Sequence, residues 1–326
     1  MEALSENQTQ NPSPQRRAVI DVGSNSVKLL VADVMGETVT PLLHEGEQTR
    51  LGRGVFETNR LDPEAIAQTA FVAGQFAEKA RRMGASEVKA VATSAAREAR
   101  NGMDLIEAFR DFRIPLMIIE GDREAELVLC GVRSQPDYAE GPLAIIDVGG
   151  GSTELLVADE SGLRVQHSFQ LGTVRMLEQY APSDLPTAGE RAQLIEVLDQ
   201  FLDEQVTPML GGVSLPGTLV GAGGTPVFLS RILKGTDSLE ADELEALCWP
   251  LPEVQSLADR LWMMSLERRR NLPGLPADRA DVILFGVAIF EAIMMRCGFH
   301  ELRPTLRGVR YGSLLEGGTS STSSQT

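Results

Sequence analysis

Residues 18–34 recur at residues 144–160, and this repetition constrains the chain more than any other feature of it. The first copy reads Ala18-Val-Ile-Asp-Val-Gly-Ser-Asn-Ser-Val-Lys-Leu-Leu-Val-Ala-Asp-Val34. The second reads Ala144-Ile-Ile-Asp-Val-Gly-Gly-Gly-Ser-Thr-Glu-Leu-Leu-Val-Ala-Asp-Glu160, identical at 11 of 17 positions with an offset of 126. Each copy is an apolar β-rich run, a Gly/Ser/Asn turn and a second apolar run, so each predicts a β-hairpin. A hairpin that opens both halves implies a tandem duplication. The 326 residues agree, because single cores stop growing near ~250–300 residues.

Behind each hairpin the pattern alternates. Residues 62–83 carry apolar side chains at helical spacing after a Leu-Asp-Pro-Glu start; 87–93 read as a strand, 95–101 as a short helix and 114–119 as a strand, with helix resuming at Asp122. In the second half, 187–206, 240–248 and 253–270 read as helices, the last two separated by Pro250 and Pro252. Residues 218–221 read as a strand and 278–297 as a long buried helix. Such alternation predicts an α/β protein with mixed sheets flanked by helices. Pro136, Gly141 and Pro142 mark residues 134–142 as the connection, which gives domain I over 16–138 and domain II over 139–316. The polar tails 1–15 and 317–326 are expected to be disordered.

Several function classes drop out. The formal charge of −16 argues against binding nucleic acid duplexes, whose affinity comes from Lys and Arg contacts to phosphate, although a local site can still hold an anion. Cys130, Cys248 and Cys297 are scattered and odd in number, which suggests neither a disulfide framework nor a metal motif. His44, His167 and His300 are equally dispersed, so a histidine metal site or a Ser-His-Asp triad is hard to build. The apolar run 282–295 contains Glu291 and is too short for a membrane span. No secretory signal pattern opens the chain, and a cytoplasmic location is expected.

The candidate chemistry lies at strand ends. Asp21-Val-Gly-Ser-Asn-Ser26 and Asp147-Val-Gly-Gly-Gly-Ser152 each place an acid before a tight turn whose backbone N–H groups can surround a phosphate, or which is simply a hairpin turn that needs glycine. Two matched turns facing each other would clamp an anion between domains, where ligand sites commonly form. Neither matches the P-loop or dinucleotide fingerprint. Arg97, in the first helical turn if Ser94 is the N-cap, opposes the helix dipole and calls for an anion: a carboxylate or a substrate phosphate. Glu120-Gly-Asp-Arg-Glu-Ala-Glu126 opens a helix with Asp122 as a natural cap; its acids serve as dipole partners or, for Glu124, as a base that takes a proton from an attacking water. Gly221-Ala-Gly-Gly-Thr225 is a third glycine turn. Asp147 and Glu154 lie across a hairpin, where they either pair with a cation or offer hard oxygen ligands to Mg²⁺.

Together these segments, with Thr93-Ser-Ala-Ala-Arg97, Leu171-Gly-Thr-Val-Arg175 and Arg279-Ala-Asp281, resemble the exopolyphosphatase/guanosine pentaphosphate phosphatase family from about Ala18 to Gly312. The resemblance implies two tandem ribonuclease-H-like domains of the actin and sugar-kinase superfold around an interdomain cleft. It implies metal-dependent hydrolysis of terminal phosphoanhydride bonds in inorganic polyphosphate or pppGpp. By motif, Glu124 resembles the catalytic base, and Asp147 and Glu154 the pair that holds Mg²⁺ or Mn²⁺. Gly23, Ser24, Asn25, Ser26, Arg97, Gly149, Gly150, Gly151, Ser152 and Gly223 resemble phosphate binders. Arg123 stands where many members carry a second acid, exchanging an auxiliary carboxylate for a cation toward phosphate. The chain resembles the short, two-domain form, with a homodimer among the expectations. The rivals are a (p)ppGpp sensor without turnover and an ATP-dependent kinase of the same superfold.

Overall fold

The structure is a computed structural model describing residues 13–316; most of both expected tails lies outside the described residues. Strands β1 (Gln15–Val22), β2 (Ser26–Met35) and β3 (Thr38–Gln48) form an antiparallel meander, joined by β4 (Glu87–Ala92) and β5 (Leu116–Ile118) parallel to β1, in the order β3-β2-β1-β4-β5. The second sheet repeats the plan. Strands β6 (Leu143–Val148), β7 (Thr153–Asp159) and β8 (Gly162–Phe169) form its meander, β9 (Thr218–Ala222) runs parallel to β6, and β10 (Trp249–Pro250) and β11 (Glu301–Pro304) complete the order β10-β11-β9-β6-β7-β8. Two such sheets are the ribonuclease-H-like pair expected.

The duplicated runs are apolar on both strand faces because both faces are covered. Ala18, Ile20 and Val22 enter the first domain's own core, and Ala144, Ile146 and Val148 the second's. The alternate residues Val19, Leu30, Leu143, Ile145 and Leu156 point the other way, into a third core that both sheets share. That layer is filled by the helices Gly121–Arg133 and Val309–Leu315, through Ala125, Val128, Val309, Tyr311 and Leu314. The C-terminal helix therefore packs against β1 and β2 although it follows the second sheet in sequence. The two helices cross at glycines: a Cβ on Gly312 would stand 2.0 Å from Leu127 O, and one on Gly131 2.2 Å from Gly308 O. A side chain at either place would force the layer apart.

Local signals set most boundaries. Asp62 Oδ1 accepts from Glu64 N–H at 2.8 Å and Ala65 N–H at 3.1 Å, with Pro63 as first residue, to start the helix Pro63–Arg82. Thr187 and Glu190 form a capping box for Ala188–Phe201, which ends in a wider turn over Leu202–Val206. Other expectations need correction. The long helix over 278–297 is a short turn Ala277–Arg279 and the helix Ile283–Cys297, interrupted where Arg269 Nε binds Ala280 O at 2.9 Å. Residues 253–270 split into Leu251–Trp262 and Leu266–Arg270 because Ser265 caps the second, and 240–248 shorten to Ala241–Glu245. The helix after β5 begins at Gly121 with Glu120, not Asp122, at the N-cap.

Residues 48–56 reach across to the second domain. Gln48 Nε2 donates to Asp278 O at 2.6 Å, Arg50 Nη2 to Asp281 Oδ2 at 3.0 Å, and Gly54 N–H to Glu178 Oε1 at 2.6 Å.

Gly312→Ala should lower stability by about 1–3 kcal/mol, the usual cost of overpacking. Gly189→Ala, in a helix where a Cβ meets nothing nearer than 3.9 Å, should raise it by about 0.5–1 kcal/mol. Urea unfolding measures both; equal effects would mean that the glycine crossing is not tight.

Candidate active site

Both duplicated turns close in the same way. Gly23 N–H donates to Ser26 O at 3.0 Å, and Gly149 N–H to Ser152 O at 2.9 Å. The amides of Ser24, Asn25, Gly150 and Gly151 find no backbone acceptor in these turns, and all four residues line one cavity between the sheets, with Gly23, Ser26, Gly149 and Ser152. Ser24 Oγ is buried there with no hydrogen-bond partner among the described residues. Backbone N–H groups and a free hydroxyl around a concavity make a donor surface for an oxyanion. The turns nearly touch: a Cβ on Gly150 would lie 3.0 Å from Ser24 Cβ, and one on Gly151 2.9 Å from Ser24 Oγ.

Besides Asp21, three further carboxylates line the same cavity. Asp147 and Glu154 are register partners on β6 and β7, and Glu154, 1% exposed, accepts from Ser168 Oγ at 2.7 Å. Glu124, 6% exposed in the first turn of the helix Gly121–Arg133, accepts from Arg97 Nη1 at 3.0 Å. Burial is the main force on all three. It pushes Asp147 up to about 6, with Lys28 pulling back, and Glu154 up to about 7, with Asp147 adding to the rise. Burial and then the charge of Glu154 hold Glu124 well above the usual carboxylate range, opposed by Arg97. A general base with a raised pKa works near neutral pH.

Among the described residues no three His, Cys, Asp or Glu side chains gather into a closed metal cage. Two hard carboxylates open to a cavity are instead the donor set that suits Mg²⁺ or Mn²⁺, which keep waters and share substrate phosphates. Burial raises both pKa values more than any neighbouring charge does, and Lys28 opposes it only in part at Asp147.

Two expected residues stand behind the site. Arg97 is in the last turn of a helix of only Ser94–Glu98, whose N-cap is Thr93. The expected opposition to a helix dipole is therefore absent; Arg97 is held by Glu124 and by Ile119 O at 2.9 Å. It lines a neighbouring depression with Ser152 and Ser168 rather than the main cavity. Gly223, at φ +86°, backs Asp147 so closely that a Cβ would lie 2.4 Å from Oδ1, and it lines an adjoining cavity with Lys28, Arg279 and Arg310. Arg123 pairs with Glu126 and Glu316 and does not line the cavity.

Reading each motif alone misses Lys28. It is the register partner of Asp21 as Glu154 is of Asp147, so the offset of 126 sets a cation opposite the first acid and a carboxylate opposite the second. Burial lowers the Lys28 pKa against the attraction of Asp21.

Known proteins resemble the chain over most of its length. The model of the Ppx/GppA phosphatase family matches residues 30–319. Exopolyphosphatase 2 of Mycobacterium tuberculosis is 32% identical over 290 residues, covering 85% of this chain and 89% of that protein. Exopolyphosphatase 1 of Mycobacterium leprae is 30% identical over 282 residues, covering 86% and 82%. The crystal structure of the Aquifex aeolicus Ppx/GppA family member superposes with a TM-score of 0.77 at 27% identity, covering 94% of this chain and all of that one.

The three acids set a pH dependence. Raised pKa values mean that the native protein binds more protons than the unfolded chain over roughly pH 4–7, so these groups remove stability as pH climbs. His44, held down to about 4 by burial, works in the opposite sense over roughly the same range. Glu190, drawn to about 2 by its hydrogen bonds, acts only in stronger acid. Three acids outweigh one histidine. In EDTA the urea midpoint should fall from mildly acidic to neutral pH and fall less in Asp147→Asn; a midpoint that rises over that range would contradict the assignment.

Proposed function

Since the chain belongs to the Ppx/GppA phosphatase family, we propose that it is a metal-assisted exophosphatase that removes the terminal phosphoryl group of inorganic polyphosphate. The observation that carries this reading is the meeting, in one cavity, of Glu124 with both duplicated turns and the Asp147–Glu154 pair. The turn amides and the Ser24 hydroxyl hold the terminal phosphate oxygens. Glu124, oriented by Arg97, accepts a proton as water oxygen bonds to phosphorus. The phosphoanhydride P–O bond breaks, and its electron pair leaves with the shortened chain. A divalent cation, when bound at Asp147 and Glu154, screens the phosphate charge. Little covalent chemistry is asked of the protein, because phosphoryl transfer depends mainly on positioning and charge stabilisation.

The relatives named as exopolyphosphatases favour polyphosphate over pppGpp as the first substrate to test. A sensor without turnover would have no use for a buried base beside the turns. A kinase reading finds no support among the relatives, which are named exopolyphosphatases. The deciding assay is phosphate release from polyphosphate and from pppGpp, each with and without Mg²⁺. Faster release from pppGpp would reverse the substrate assignment, and undiminished release in EDTA would remove the metal.

Glu124→Gln removes a base at little change in volume and should lower turnover by ~10²–10⁴ while the protein stays folded. Retention of half the wild-type rate would exclude Glu124 as the base. Asp147→Ala and Glu154→Ala should each raise the Mg²⁺ concentration needed for half-maximal activity. Coincident Mg²⁺ titrations would make both acids structural.

A further inference from the structure

The second turn is held from behind by the helix Thr173–Gln179. Thr173 N–H donates to Gly149 O at 3.0 Å, and Val174 and Arg175 N–H to Gly150 O at 2.8 and 3.1 Å. The helix takes the turn's carbonyl oxygens, which leaves its amides for the cavity. Gly172 permits this contact, since a Cβ there would lie 2.5 Å from Gly150 C and O. Turn and helix thus form one unit, and something must fix that unit against the first domain.

Arg175 spans the gap. It is 8% exposed; its Nε donates to Gly151 O at 2.9 Å, and its Nη2 to both Glu98 oxygens at 2.7 and 2.8 Å. Its guanidinium lies 4.0 Å over the Phe56 ring. Glu98 also accepts from Ser94 Oγ at 2.8 Å, and it adjoins Arg97, which orients Glu124. The planar fork of arginine satisfies these partners at once, which an ammonium cannot do.

We propose that Arg175 and Glu98 are positioning residues that latch the Gly149–Ser152 turn onto the first domain and so set the spacing between the two phosphate-binding turns. The inference rests on the phosphatase reading for its kinetic consequence but not for its structural one. The pair is mostly withdrawn from water, so removal of one partner leaves the other unpaired in a low dielectric and the latch fails as a unit.

The test combines kinetics with amide hydrogen exchange on wild type, Arg175→Ala, Arg175→Lys, Glu98→Gln and the Glu98→Gln/Arg175→Ala double variant. With polyphosphate and Mg²⁺, each single variant should lose about 10- to 100-fold in kcat/KM, mostly through a higher KM, and the double variant no more than the worse single. Arg175→Lys should not recover the loss. In metal-free protein, exchange should quicken at residues 52–58 and 149–152 and stay as in wild type at the glycine crossing of the central helices. Should Arg175→Ala fail to fold, the near-isosteric Glu98→Gln carries the test. Multiplying losses, full rescue by lysine or unchanged exchange at the turn would each overturn the proposal. If wild type releases no phosphate while exchange responds as expected, the latch stands and the substrate assignment falls.

Discussion

Two helices crossing backbone to backbone hold this molecule in register. Each sheet presents one face to its own helices and the other to the layer built by Gly121–Arg133 and Val309–Leu315. The crossing at Gly131 and Gly312 therefore fixes the separation of the sheets as well as of the helices. Glu124 lies on the first of these helices, in the turn that emerges beside β5. Glu124, the two hairpin turns and the shared core are thus parts of one construction, and the placement of the carboxylate proposed as the base becomes a matter of helix packing.

Against that packing stands a deliberate electrostatic mismatch. Glu124, Asp147 and Glu154 are withdrawn from water with Arg97 and Lys28 as partial compensation, an arrangement in which the burial of charge costs stability. The chain's charge of −16 gives no hint of the adjoining cavity, where Lys28, Arg231, Arg279 and Arg310 stand among four carboxylates. Net composition describes the solvent-facing surface; the site is made by a few groups that the fold takes out of solvent. Divergence between the repeats supplies the sign change, for the position opposite the strand-end acid is Lys28 in one copy and Glu154 in the other.

The duplicated hairpins were legible because strands covered on both faces require continuous apolar runs and their turns require glycine. That Asp147 and Glu154 face the same space was legible because they lie opposite each other across a hairpin. What the sequence did not reveal was contact between distant segments. Arg97 could be read only against its own helix, and the outcome depended on Glu124, 27 positions away. Arg175 and Glu98 are 77 positions apart and belong to different domains, so nothing local pairs them. Helix ends failed where a side chain from elsewhere took a backbone carbonyl, as Arg269 does at Ala280.

If the substrate is a polymer, as proposed, the span of residues 48–56 bears on which of its bonds can be reached. Its contacts to Asp278, Asp281 and Glu178 tie the first domain to the second, and a tie of that kind can close one side of a cleft. A thread cut in its middle needs two ways out of the cutting place, whereas a blind alley admits only a loose end. Selection of termini would then follow from topology, with no group dedicated to recognising the end itself.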